Sequence, residues 1–343
     1  MINQIDEMKR YFEQELTAGK ILEWSKLQEI CLDKQISYEH ISILNNWFKQ
    51  VTELCFLEDL PKNTEEILFH SSEASEIIVK GKKSFFGHDL TAIDLDIVLQ
   101  IISIRCNIEW NYTKPFQSFY LSIFNKSLRV SLVHSSITPN QISKAFFRIL
   151  NSNTISLNNY EYTQVLQKMV KEKKNILIAG STGSGKTTLV NSLIGEISIN
   201  DHVLILEDTQ ELTSPHDHTT RLLSNTNHNQ SLDTLLSYGL RVSPQRIILG
   251  EMRSHEVSTF MLAMNTGHNG MMTTLHANSA KDSISRVAMM FMMYGNSNLS
   301  YEMVLKLVCQ NIDNVIFIEN KKIKEIIDVY GSEDSNIFFE QIA

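Results

Sequence analysis

The sequence predicts an α/β chain: a doubly wound, mostly parallel sheet in the C-terminal half, preceded by an α+β domain and a helical N-terminal segment. Three patterns carry that expectation. Beyond residue 174, NILIAG, HVLILED, RIILGE, MMTTLHA and NVIFIE are short, nearly continuous apolar runs separated by helical segments, as in strands covered by helices on both faces. Between about 65 and 150, the runs EIIVKG, SFYLSIF and LRVSLVH alternate with stretches read as helices, Asp94 to Ile104 and Gln141 to Ile149. Before residue 60 the apolar residues recur three and four apart (Ile5, Met8, Tyr11, Phe12; Ile21, Trp24, Leu27, Ile30), which is helical spacing. The expected divisions are a helical segment over 1–64, an α+β domain over 65–150, a linker over the turn-rich 151–160, and an α/β domain over 161–343 opened by a helix from Glu161 to Glu172.

Length and composition narrow the class. The 343 residues suit two or three domains, and 43% apolar with 20% charged residues excludes a disordered chain. A net charge of −8 lacks the positive field that a phosphate backbone demands, so a dedicated nucleic-acid binder is disfavoured. The four cysteines (Cys31, Cys55, Cys106, Cys309) form no CxxC pair and read as buried thiols of a reducing cytoplasm. The first twenty residues carry charges throughout and hold no apolar signal core. No window reaches the roughly 20 apolar residues that span a bilayer, the longest being Val287 to Tyr294. Any work at a membrane is therefore expected from the cytoplasmic side, through partners.

The strongest chemical signal is Gly180-Ser181-Thr182-Gly183-Ser184-Gly185-Lys186-Thr187, a complete GxxxxGK[ST] between the strand NILIA and a helical segment. Such a loop curls backbone N–H groups around phosphates at a helix N-terminus, its lysine reaches the β and γ oxygens, and its hydroxyl binds Mg²⁺. Thr188 completes the candidate phosphate-binding set. The competing reading is a glycine-rich turn that binds nothing.

Three further clusters follow. Arg246-Ile-Ile-Leu-Gly250-Glu251 is an apolar strand ending in one carboxylate, suited to orient or deprotonate a water beside Mg²⁺, so Glu251 is the candidate base and, with Thr187, stands on the metal side. Glu207-Asp208-Thr-Gln-Glu211 brings carboxylates to the same sheet edge, and Glu207 and Glu211 are the candidates to face a hydrated cation. The segment Thr266 to Ser279 sets His268 and His276 eight residues apart, and His276 is the stronger candidate for contact with a γ-phosphate. Each cluster also has a plain reading, as an exposed strand-end glutamate, a solvated acidic turn and structural histidines. The methionine cluster at 289–293 is expected to be core filler.

Taken in order, these motifs resemble the secretion traffic ATPases of type II and type IV systems. The set comprises the P-loop, an acidic box at Glu207 to Glu211, a variant Walker B at Ile247 to Glu251 and a His box from Gly267 to His276. The blocks LEDTQEL, LRVSPQRIILGEMR and AMNTGHNGMMTTLHANSAKDSISR are most similar to the CpaF/TadA branch of Tad pilus motors, with the VirB-class ATPases as near relatives. The resemblance is specific over Asn175 to Asp313. It implies a RecA-like P-loop NTPase domain, a homo-hexameric ring, and ATP held between the N-terminal and C-terminal domains. It also implies arginines reaching the phosphates from the N-terminal domain, carried over to Arg129 and Arg148, with Arg221 and Arg241 as further family arginines. The segment that reads LRMRPDR in the family reads LRVSPQR here, with Ser243 and Gln245 replacing an arginine and an aspartate. No tetracysteine module interrupts the C-terminal half, which argues against the pilus-extension branch.

The function expected from all this is a cytoplasmic hexameric ATPase, peripheral at the inner face of the bacterial inner membrane. With ATP and Mg²⁺ it would power a pilus or secretion platform. A nucleic-acid-dependent RecA- or helicase-like motor is the alternative, discriminated by stimulation with single-stranded DNA. A small-molecule P-loop kinase and a nucleotide-binding scaffold rank below it.

Overall fold

The computed structural model describes residues 4–150, 155–224, 230–295 and 298–342. The chain divides into two compact units, residues 1–151 and 152–343.

The first unit runs α1 (Gln4–Thr17), α2 (Trp24–Asp33), α3 (Tyr38–Glu53), β1 (Thr64–Phe69), β2 (Ser75–Val79), β3 (Lys82–Phe85), α4 (Ala92–Arg105), β4 (Phe116–Ile123), β5 (Lys126–Val133) and β6 (Lys144–Leu150). Its six strands form one antiparallel sheet in the order β3-β2-β1-β6-β5-β4. Helix α4 is apolar nearly all round and buries Leu95, Ile97, Val98, Leu99, Ile101 and Ile102, as a helix sandwiched in a core must. Thr91 and Asp94 close a capping box at its start, and Asp94 also accepts bonds from Lys9 Nζ (2.9 Å) and Trp47 Nε1 (2.6 Å), tying α1 and α3 to it. Met8, Phe12, Leu44 and Val51 share one core with Ile67, Val130 and Phe147. The helices of 1–64 and the strands of 65–150 thus bury their apolar faces against each other, where the sequence reading separates them.

The stretch Gln141 to Ile149, expected as a helix, is instead the strand β6. Its burial follows period two: Ala145 and Phe147 point inward while Lys144, Phe146 and Arg148 do not, and it pairs with both β1 and β5. Two adjacent phenylalanines on opposite faces suit a pleat better than one helical stripe.

The second unit runs α5 (Thr163–Lys171), β7 (Ile176–Ala179), α6 (Lys186–Ile194), β8 (Val203–Glu207), β9 (Thr219–Leu223), α7 (Leu232–Gly239), β10 (Arg246–Leu249), α8 (Glu256–Asn265), β11 (Met272–Leu275), α9 (Ala280–Tyr294), α10 (Tyr301–Asn311), β12 (Asn314–Glu319), β13 (Lys322–Glu333) and β14 (Asn336–Gln341). The sheet order is β14-β13-β12-β7-β11-β10-β8-β9. From β12 to β9 neighbouring strands are parallel, and β13 and β14 extend the edge as an antiparallel meander. Alternate residues of one strand feed separate cores: Leu177, Leu204 and Leu249 pack on the α7–α10 face, whereas Ile178, Ile205 and Ile248 pack with α5 and α6. Both faces are covered, which is why these strands read as unbroken apolar runs.

Three other expectations change. Residues 151–154 of the expected linker lie outside the described residues, but Leu157 is buried with Leu166 and Leu193, and Ser192 Oγ donates to Ile155 O at 2.6 Å, so the otherwise exposed remainder is tied down at two points. The methionines are not all core: α9 packs through Ile284, Val287, Ala288 and Phe291 at three-to-four spacing, burying Met290 but leaving Met289 57% and Met293 70% exposed. Cys31 and Cys309 are buried, while Cys55 and Cys106 are only partly so, and all four are free thiols. Among the described residues no helix is long and apolar enough to cross a membrane.

Candidate active site

Parallel strands deliver their carboxyl ends to one edge, and the order β7-β11-β10-β8 sets four sequence motifs side by side there. The phosphate-loop sequence follows β7, His276 follows β11, Glu251 follows β10, and Glu207 ends β8 with Glu211 in the loop beyond it. The apolar strands explain the position, and the polar residues that terminate them explain the chemistry.

The loop from Gly180 to Gly185 turns β7 into α6. Gly180 has no room for a side chain: a Cβ there would run into the carbonyl oxygen of Ile318 on β12 and lie 2.7 Å from Ser184 Oγ. The turn after β12 closes the loop from the same side, Lys321 N–H donating to Ser184 O at 2.9 Å. Lys186, the first residue of α6, sends its ammonium back to the carbonyls of Gly180 (2.9 Å) and Ser181 (2.8 Å). Burial pushes its pKa down, partly offset by Glu251. Thr187 Oγ1 stands 3.5 Å from Glu211 Oε2. Ser181, Thr182, Gly183 and Thr188 lie in the same loop-to-helix turn.

Glu251 is held on both oxygens. Oε1 is 2.9 Å from His276 Nε2, and Oε2 accepts from Arg253 Nη2. Burial works against its ionisation, but Arg253, His276 and Lys186 outweigh it and hold the carboxyl below the usual range. Burial and the nearby Lys186 in turn push His276 down, favouring neutral imidazole. Its Nδ1 faces the Lys186 ammonium at 3.5 Å, and a donor there needs a lone pair, so the Nε2–H tautomer donating to Glu251 fits the arrangement. Arg253 also reaches Asp208 Oδ2 at 3.7 Å. It escaped the sequence reading although a cation two residues past the strand-end glutamate was a usable signal.

Glu207 is 3% exposed. Its Oε1 accepts from the N–H of Glu211 (2.9 Å) and of Leu212 (2.7 Å), and Arg221 Nε on β9 lies 3.9 Å from Oε2. Burial dominates, raising its pKa to about 7 against the pull of the two N–H groups and Arg221.

Other sequence candidates lie elsewhere. Arg241 precedes β10, at the amino end of the sheet, and its guanidinium sits over the Tyr238 ring at 5.7 Å, so it does not join this row. His268 Nδ1 lies 3.3 Å from Ala263 O at the end of α8, a structural role. Arg129 and Arg148 belong to the first unit, where they are direct cross-strand partners on β5 and β6, and Arg148 pairs with Glu66 at 3.8 Å.

The sequence pattern of the family described as "Type II/IV secretion system protein" matches residues 124–337. The conjugal transfer protein TrbB of Rhizobium radiobacter is 30% identical over 207 residues, covering 56% of this chain and 62% of its own length. The type IV secretion system protein PtlH of Bordetella pertussis is 38% identical over 163 residues, covering 46% of this chain and 48% of its own. The matched region thus spans about half to two thirds of the length of these curated relatives. The X-ray structure of the Legionella pneumophila ATPase DotB shares the fold, with a TM-score of 0.58 at 17% identity over 88% of this chain and 79% of that one.

Proposed function

The chain belongs to the type II/IV secretion system protein family, and on that footing we propose that it hydrolyses ATP to ADP and phosphate to drive a secretion or pilus machine. The observation that carries this reading is the row of Lys186, His276, Glu251 and the Thr187–Glu211 pair along adjacent strand ends. Backbone N–H groups of residues 180–187 and the Lys186 ammonium would bind the triphosphate at the N-terminus of α6. The Thr187 hydroxyl and nearby carboxylates are hard oxygen donors that fit Mg²⁺, which when bound would neutralise phosphate charge. Glu251, kept ionised by its neighbours, would take the proton of the attacking water. His276 would keep its Nε2–H and donate it as a hydrogen bond to Glu251, orienting the base. Arg129 and Arg148 would add the cations of the first unit.

Type IV secretion and conjugation relatives favour a machine of that broad kind, and the motif blocks favour its Tad pilus branch. The working form would be a homo-hexamer at the cytoplasmic face of an inner-membrane platform. The test is Mg²⁺-dependent phosphate release by the purified chain. Lys186→Ala should lower it at least about a hundredfold while circular dichroism stays unchanged, since the loop remains and only its cation goes. Absence of hydrolysis in the parent chain, or full activity in the variant, overturns the reading. Stimulation by single-stranded DNA would instead favour the nucleic-acid motor.

A further inference from the structure

Glu207 and Glu211 look equivalent in sequence but occupy opposite environments, one 3% exposed and the other in a loop beside Thr187. We propose that Glu207 is a positioning residue: its methylene arm lies against Gly250 and its carboxyl staples the acidic loop by two backbone N–H groups, so that Glu211 faces Thr187. This rests on the ATPase reading above and assigns Glu207 no contact with reactants.

Strand β10 is followed directly by Gly250. A Cβ on Gly250 would come within 3.1 Å of Glu207 Cγ and 3.5 Å of Leu206 O, so a strand-end side chain on β10 competes with Glu207 for one space. The buried carboxylate at this point comes from the parallel neighbour β8, where Leu206 pairs with Leu249. From there Oε1 reaches the N–H groups of Glu211 and Leu212 at 2.9 and 2.7 Å.

The far side of the same loop is held by α6. Asn191 Nδ2 donates to Glu211 O at 3.3 Å, and Asn191 Oδ1 accepts from Thr213 N at 2.8 Å. Asn191 lies one helical turn after Thr187, on the same face. Leu212, fully buried, anchors the loop between the two clasps. Held by β8 on one side and α6 on the other, Glu211 is left with its Oε2 3.5 Å from Thr187 Oγ1. A carboxyl oxygen accepts N–H bonds whether or not the group is ionised, so the staple depends on reach more than on charge.

Two substitutions separate reach from charge in the full-length chain. Glu207→Gln keeps the reach and loses the charge, whereas Glu207→Asp keeps the charge and shortens the arm by one methylene. The readouts are amide hydrogen exchange at Glu211 and Leu212 without nucleotide, and ATP hydrolysis titrated with Mg²⁺. Glu207→Asp should expose both amides and raise the half-saturating Mg²⁺ concentration or lower kcat about tenfold, with the KM for ATP little changed. Glu207→Gln should restore both the protection and the Mg²⁺ response.

The proposal falls if Glu207→Asp leaves both amides protected. It also falls if Glu207→Gln is as slow as Glu251→Gln while its amides stay protected, which would make Glu207 a reacting group. Should Glu207→Asp fail to fold, Gly250→Ala presses on Glu207 Cγ from the opposite side and should expose the same two amides; unchanged exchange there counts equally against the staple. If the ATPase reading itself is wrong, the parent chain will not hydrolyse ATP, and the exchange results will still report on the loop.

Discussion

At the amino end of the parallel sheet, Arg246 is 2% exposed and its Nε donates to Asp201 at 2.8 Å while Nη2 donates to the carbonyl of Val170 at 2.9 Å. At the carboxyl end, Glu207 is equally deep, but its second oxygen has no hydrogen bond among the described residues and the nearest guanidinium nitrogen is 3.9 Å away. The amino-end pair follows the rule that a buried charge needs a close, directional partner. Asp201 shows the result: burial pushes its pKa up, and Arg246 and Lys173 more than reverse it. Glu207 shows the opposite balance, with burial winning. One end of the same sheet spends its charges on holding the fold. At the other, Glu251 is paired on both oxygens but Glu207 is buried without a close cation, as expected of a working site whose polar groups serve something beyond stability.

The contrast can be broken in three places. The largest effect belongs to Glu251→Gln, which should still bind ATP but hydrolyse it about a thousandfold more slowly, some 4 kcal/mol in activation free energy. Nucleotide-binding and single-turnover measurements on one preparation check this, and normal turnover would move the base to the acidic loop. Next comes Arg246→Ala, which leaves Asp201 its longer pair with Lys173 (3.3 Å) but removes the buried one, and should cost about 3 kcal/mol of stability in denaturant titration. Turnover per folded molecule should be unchanged, and a selective loss of activity would erase the distinction between the two ends.

The smallest effect concerns pH. A carboxyl whose folded pKa is raised contributes stability that is present below its unfolded value of about 4.5 and lost as pH rises through about 7. Glu207→Gln removes that loss. The variant should match the parent at pH 4.5 and exceed it by about 2 kcal/mol at pH 8, measured by parallel denaturation curves. Arg221 and Glu211 face the carboxyl and oppose each other there, so neither reverses the sign. Asp201 has the reverse sense: its lowered pKa gives stability above about 3.8 that disappears in stronger acid.

Much of this architecture is legible in the residues alone. The phosphate loop declares itself because strand, glycines, lysine and helix are contiguous, and β7, β8, β10 and β12 declare themselves because strands buried on both faces are mostly apolar through their middles. The edges are harder. β9 (TTRLL) is half exposed and carries no apolar run, and the β13–β14 meander has one open face, so neither stands out. Within the site, the sequence groups Glu207 with Glu211 because burial is not written in a four-residue spacing. Only the approach of β8 to Gly250 separates them. The place of Arg241 is hidden for a related reason, since likeness of a segment says nothing about which end of a strand it joins.

The contact between the phosphate loop and β12 carries a consequence for biogenesis. The carbonyl of Ile318 and the N–H of Lys321 brace Gly180 and Ser184, yet they come from β12 and the turn after it, far downstream of the loop. A ribosome-bound fragment that has emerged only through α6 therefore possesses the whole glycine-rich signature without the wall that shapes it. On the proposed function, nucleotide capture would follow the release of the segment around 320 from the exit tunnel, a late event of maturation rather than a seed for it.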